Sequence, residues 1–132
     1  MTSLEIVQNY YAAFNDKNWA GMLALVDPKI RHEPNQEEVR VGLEKFTEFL
    51  GMMDTSYEET LTDMVFFTEP SGQRIAVEFT VNGKYKQGEE DMPAAHGQSY
   101  VLPAAAFVEV TGDKISRVNT FYNLPLWISL VS

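Results

Sequence analysis

None of the 132 residues is a cysteine. No disulfide can brace the fold, and no thiolate can serve as nucleophile or metal ligand. Basic residues are scarce: ten Lys and Arg stand against nineteen Asp and Glu, a net charge of -9. That balance argues against nucleic-acid backbones and anionic membrane surfaces as partners. Only two histidines occur, with no His-x-x-x-His spacing, so no metal site is expected. Glu89, Glu90, Asp91 and His96 read as a solvated charge run. A glycine-rich phosphate loop and a serine–histidine–acid elbow are both missing, so no cofactor is expected. Apolar runs fall well short of the ~20 residues of a membrane span. The opening Met1-Thr2-Ser3-Leu4-Glu5 has neither a basic nor an apolar signal region. The expectation is a cytoplasmic protein.

What is present is a core: 45% of residues are hydrophobic, enough for burial to offset ordering entropy in one domain. No repeat, linker or low-complexity tract divides residues 1–132. Thr2 or Ser3 can cap a first helix carrying Leu4, Val7, Tyr10/Tyr11 and Phe14 at helical spacing. Asn15-Asp16-Lys17-Asn18 breaks it. Trp19, Met22, Leu23 and Val26 predict a second short helix, closed by Asp27-Pro28. A short strand is expected over Ile30 to Glu33, a turn over Asn35 to Glu38, and a third helix through Leu43, Phe46, Phe49/Leu50 and Met53.

Beyond Asp54 the period changes from helical to alternating. Strands are expected over 57–68, 74–85, 98–110 and 115–124, with turns at Glu69-Pro70-Ser71-Gly72 and Thr111-Gly112-Asp113. Trp127 to Val131 reads as a short apolar tail. Helices before strands predict an α+β fold with a mainly antiparallel sheet. Curved around three helices, such a sheet would enclose a cone-shaped pocket. Pro103 in mid-strand fits an edge or a bulge.

The segment Arg31-His32-Glu33-Pro34-Asn35-Gln36 concentrates acid–base groups and amides between two helices. Glu33 in an apolar cavity would have a raised pKa, suited to a base near neutrality; otherwise it is a surface partner of Arg31 or Arg40. His32 is the alternative base, but neighbours on a strand point to opposite faces. Tyr10 and Tyr11, about 100° apart on a helix, can divide between cavity and sheet. Trp19, Tyr57, Tyr85, Tyr100, Phe121, Tyr122 and Trp127 supply aromatic surface for core, interface or pocket. Asn35, Gln36, Gln98, Asn119 and Asn123 are candidate polar ligand contacts. Glu78 reads as a rim charge or else a second acid facing the cavity, and residues 87–97 as a candidate lid or else a plain connecting loop.

Several motifs carry a resemblance. They are Tyr10-Tyr11-Ala12-Ala13-Phe14-Asn15, His32-Glu33-x-Asn35-Gln36, Val41-Gly42, Gly97-Gln98-x-Tyr100-x-Leu102-Pro103-Ala104-x-Ala106-Phe107, Gly112-Asp113-Lys114-Ile115 and Tyr122-Asn123-Leu124-x-x-Trp127. With the element order, they resemble the ketosteroid isomerase and polyketide cyclase superfamily, also called nuclear transport factor 2-like or SnoaL-like. The likeness is nearest to its ketosteroid isomerase-related branch and spans nearly the whole chain. The resemblance implies Glu33 as the base before Pro34 and Tyr10 as the donor to an enolate oxygen. It puts Ala105, which has no donor, where a second donor would stand. It further implies an isomerase or cyclase acting on an apolar carbonyl compound, and a homodimer formed through the outer sheet face. The other reading open to this fold is a non-catalytic ligand-binding or dimerising domain.

Overall fold

A computed structural model describes all of residues 1–132. The elements are α1 (Ser3–Asn15), α2 (Trp19–Leu23), β1 (Val26–Pro34), β2 (Arg40–Val41), α3 (Leu43–Ser56), β3 (Tyr57–Thr68), β4 (Arg74–Tyr85), β5 (Ser99–Thr111), β6 (Lys114–Tyr122) and α4 (Leu124–Val131). The strands form one curved, unclosed sheet in the order β2-β1-β6-β5-β4-β3. Only β1 and β6 run parallel. No helix is long and apolar enough to cross a membrane.

Local signals explain most boundaries. The Thr2 hydroxyl accepts from the Glu5 N–H at 3.1 Å, and the Glu5 carboxylate accepts from the Thr2 N–H at 2.9 Å. This reciprocal pair starts α1, which buries Ile6, Val7, Tyr10, Tyr11 and Ala13. The C-terminal segment is a correction. It is a fourth helix, because the Asn123 side chain accepts from the Leu126 N–H at 3.1 Å and Pro125 sits in the first turn. A five-residue apolar run gives too little periodicity to reveal that. β1 also begins earlier than expected, at Val26, with Pro28 inside it. Pro103 lies where β6 has already ended, since β5–β6 pairing starts at Ala104. Its missing N–H therefore costs no ladder bond on that flank.

A bulge in β3 sets which side chains face inward. Register shifts between Thr62 and Val65, with Asp63 at φ 55°. Before it Tyr57, Glu59 and Leu61 are covered; after it Met64 and Phe66 are. One extra residue has reversed the alternation. The bulge is anchored from α1, because the Asn15 amide donates to the Leu61 carbonyl at 2.9 Å and accepts from its N–H at 2.8 Å. Asn15→Ala removes both bonds next to the buried Leu61. It should destabilise the fold by about 1–3 kcal/mol, read as a lower urea midpoint with an unchanged slope.

Candidate functional site

Between the concave sheet and the helices lies a cavity of about 370 Å³, with 19 hydrophobic residues among the 27 that line it. Of the candidate residues, Tyr10, His32, Tyr57 and Trp127 line it. Tyr10 is buried, and burial holds its phenol far above its ordinary pKa. The cavity also takes in Glu59, Glu89, Arg40, Tyr11 and Tyr122.

Glu33 is not in the cavity. The sheet register puts Phe67, Ala76, Phe107, Asn119 and Glu33 in one row on the outer face. There Arg117 grips the Glu33 carboxylate with two bonds, Nε at 3.0 Å and Nη2 at 2.9 Å, while Arg31 Nε adds a third at 2.5 Å. Arg117 also reaches Glu109 at 2.9 Å. Hydrogen bonding to Arg117, then to Arg31, holds Glu33 down to about 2, so it is a poor base. The expected position of the base is overturned by the alternation of the strand.

Other expected contacts also fall outside the cavity. Asn119 and Phe121 share the outer face, Phe121 edge-on to Phe107 at 5.8 Å. Ala105, opposite Phe121 and Glu78, faces the same way, so it leaves no gap in the pocket. Asn35 staples its turn to β6: its N–H donates to the Thr120 carbonyl at 2.8 Å, and its side chain accepts from the Tyr122 N–H at 2.9 Å. Gln36 is the exposed, positive-φ residue of that turn. Gln98 ties residues 94–96 to the Val131 carbonyl, and Asn123 caps α4. Trp19 packs edge-on to Phe14 at 5.9 Å.

His32 does reach the cavity. It is 3% exposed, its ring edge-on to Phe46 and Phe49 at 5.2 and 4.4 Å. Its Nδ1 is enclosed without a hydrogen-bond partner. Burial first, then the nearby Arg40 charge, holds its pKa down to about 4. It is therefore a neutral imidazole at pH 7.

The acid inside the cavity is Glu59. Glu59, Gly83 and Tyr100 form one inward-facing row across β3, β4 and β5. A Cβ on Gly83 would stand 2.3 Å from Tyr100 Cζ. The tyrosine ring lies over the glycine, and its hydroxyl donates to Glu59 Oε2 at 2.5 Å. Burial raises the Glu59 pKa, and the Tyr100 bond and the Lys17 charge only partly offset it. Lys17 is held alongside by its bond to the Glu59 carbonyl. Glu59 went unnoticed in the sequence because Glu58-Glu59 looks like an exposed acidic pair. The signal that could have found it is its place in the alternation Tyr57, Glu59, Leu61.

Two more phenols are engaged. Tyr57 donates to Glu89 at 2.7 Å and Tyr85 to the Pro93 carbonyl at 2.7 Å. These bonds hold residues 86–98 over the cavity, where Glu89 and Met92 line it. By contrast, the hydroxyls of Tyr10, Tyr11 and Tyr122 make no hydrogen bond within the protein and remain available to a ligand. Burial and the charges of Glu37, Glu59 and Glu89 raise the Tyr122 pKa to about 12. Tyr122 is thus an un-ionised donor within electrostatic reach of Glu59. No three His, Asp or Glu side chains converge as they would around a metal ion.

The family model of the SnoaL-like domain matches residues 7–118. The chain belongs to the SnoaL-like family. Three crystal structures bearing the description "putative polyketide cyclase" are similar to this SnoaL-like protein over nearly its whole length. The one from Pseudomonas putida KT2440 has 42% identity and a TM-score of 0.98, covering 100% of this chain and 99% of the other. The one from Xanthomonas campestris pv. campestris has 41% identity and a TM-score of 0.94, covering 98% and 96%. The one from Silicibacter sp. TM1040 has 43% identity and a TM-score of 0.96, covering 99% and 96%. An NTF2-like protein from Burkholderia pseudomallei K96243, 20% identical with a TM-score of 0.82 and 98% and 97% covered, shares the fold. No curated protein matches the chain.

Two outcomes test this arrangement. Tyr100→Phe removes the donor to Glu59, so the Glu59 pKa should rise further in a ¹³C carboxyl titration. Gly83→Ala should displace the ring, raise the Glu59 pKa in the same way, and cost about 1–3 kcal/mol through overpacking. Separately, unfolded chains take up the His32 proton near pH 6.5, the folded protein only near 4. Stability from neutral His32 is therefore whole above about pH 6.5 and is lost as pH falls to about 4, by about 3 kcal/mol. Urea unfolding of His32→Leu should lack that share of the acid sensitivity.

Proposed function

We propose that this SnoaL-like protein removes a proton beside a carbonyl of an apolar substrate, in aldol cyclisation or double-bond isomerisation. Glu59 is the base. The observation that carries this reading is a carboxylate of raised pKa in an apolar cavity, positioned by one tyrosine and facing others with free hydroxyls. The description "putative polyketide cyclase" carried by three relatives agrees with that chemistry.

The geometry supports the following step. Tyr100 occupies Glu59 Oε2, which leaves Oε1 to take the α-proton. The C–H electron pair becomes the enolate, and Tyr122 donates to the developing oxygen. The enolate carbon then attacks a second carbonyl, closing a ring, and protonated Glu59 returns its proton to the new alkoxide; in isomerisation the extended enolate instead takes that proton at its far carbon, and the double bond moves. His32 also faces the cavity, but a pKa near 4 makes it the weaker base.

Exchange of α-protons for deuterium in an aryl β-diketone, followed by NMR, tests the assignment. Glu59→Gln should lose about 10²-fold or more of the catalysed exchange, and Glu33→Gln should lose none. Undiminished exchange in Glu59→Gln would remove Glu59 from the mechanism.

The assembly we propose is a homodimer through the outer sheet face. Val65, Phe67, Val101 and Phe107 are exposed there by 43%, 53%, 59% and 46%, an apolar patch that a second copy would cover. Sedimentation should give twice the 15.0 kDa chain mass, falling to the monomer in Phe107→Glu.

A further inference from the structure

The cavity has a second polar end, opposite Glu59. Arg40 pairs directly with His32 across β1 and β2, and cross-strand partners share a face. Both residues touch the same aromatic ring: the Arg40 guanidinium carbon stands 5.9 Å from the Phe49 centroid and the His32 ring 4.4 Å. Arg40 is the only Lys or Arg lining the cavity. It forms none of the chain's three ion pairs, although Glu37 and Glu38 border the same mouth. No hydrogen bond satisfies its five donors. On its neighbour His32, Nδ1 is enclosed without a partner, so Nε2 is the ring nitrogen left to meet a ligand.

From this juxtaposition, and resting on the reading of the cavity as a substrate pocket, we propose that Arg40 and His32 form a subsite for a carboxylate on the substrate. A guanidinium lying on an aromatic face keeps its fork free for a planar, two-oxygen anion. A neutral imidazole adds one N–H donor to the same anion. The subsite is not the place where the enolate forms. Glu59 lies on β3 and His32 on β1, with β4, β5 and β6 between them. Their inward rows meet β5 at different points, Tyr100 for Glu59 and Val108, by way of Val118, for His32. An enolate oxygen is two bonds from the carbon that loses its proton, so it stays beside Glu59. The substrate class is then an apolar keto acid, its acid at Arg40 and its reacting carbonyl near Tyr122.

The test uses 2-naphthoate and its neutral analogue 2-naphthamide, with affinities measured by calorimetry at neutral pH. Wild type should bind the carboxylate at least about tenfold more tightly than the amide. Arg40→Gln should bind the two probes equally, and its measurable binding of the amide reports an intact cavity; Arg40→Lys should retain part of the preference. Of the two histidines, only His32 should shift in side-chain ¹⁵N spectra when naphthoate is added. Equal affinity for the two probes, a preference surviving in Arg40→Gln, or no binding of naphthoate would overturn the subsite. Catalysis by Glu59 is read separately, by α-proton exchange, so the failure of one assignment is distinguishable from the failure of the other.

Discussion

The polar side of the cavity depends on one hydrogen bond, from Tyr100 to Glu59. A carboxylate in a cavity lined by Leu61, Phe79, Val81 and Leu102 is costly to ionise. Complete isolation would leave it protonated and useless as a base. One charge-assisted donor and the nearby Lys17 bring it back toward ionisation without removing the effect of burial. The bond exists because Gly83 has no side chain. That vacancy lets a tyrosine two strands away reach Glu59 across the sheet. A small residue thus tunes an acid it never touches through a side chain.

How much of this was legible in the sequence varies by physical cause. The Thr2 cap of α1, the alternation of β4 and the turn at Gly112 are local, and they appeared where local chemistry puts them. The pocket was implied by element order alone. The identity of its acid was not, for a specific reason: inward and outward faces are separated by one residue. Glu33 and His32 are adjacent, and a one-residue displacement of the family pattern exchanges cavity for outer face. Glu59 depended on register across three strands and on the Asp63 bulge, neither of which is encoded within a short window. α4 escaped notice because an apolar run without polar punctuation carries no period.

Glu33 shows what an acid does when it faces the other way. Arg117 and Arg31 share its two oxygens, and their hydrogen bonds hold its pKa down to about 2, so it stays ionised. The same group, one residue removed from the cavity, becomes part of an ionic lattice on the outer face. Its neighbours in register are Asn119 and Phe107. The lattice therefore borders the apolar patch and does not interrupt it, a pattern suited to a self-complementary surface with a polar rim.

The two ends of the cavity obey opposite electrostatic rules, and this orders the substrate. Glu59 and Glu89 make the β3 side repellent to an anion. On the β1 side Arg40 is the one cation, unpaired although Glu37 and Glu38 border the same mouth, and its charge helps keep His32 neutral. Under the proposed reaction, a substrate with one acid group would enter in one productive orientation. Its anion would lie away from Glu59 and would not oppose formation of the enolate. Selectivity would then rest on the spacing between that acid and the reactive carbonyl.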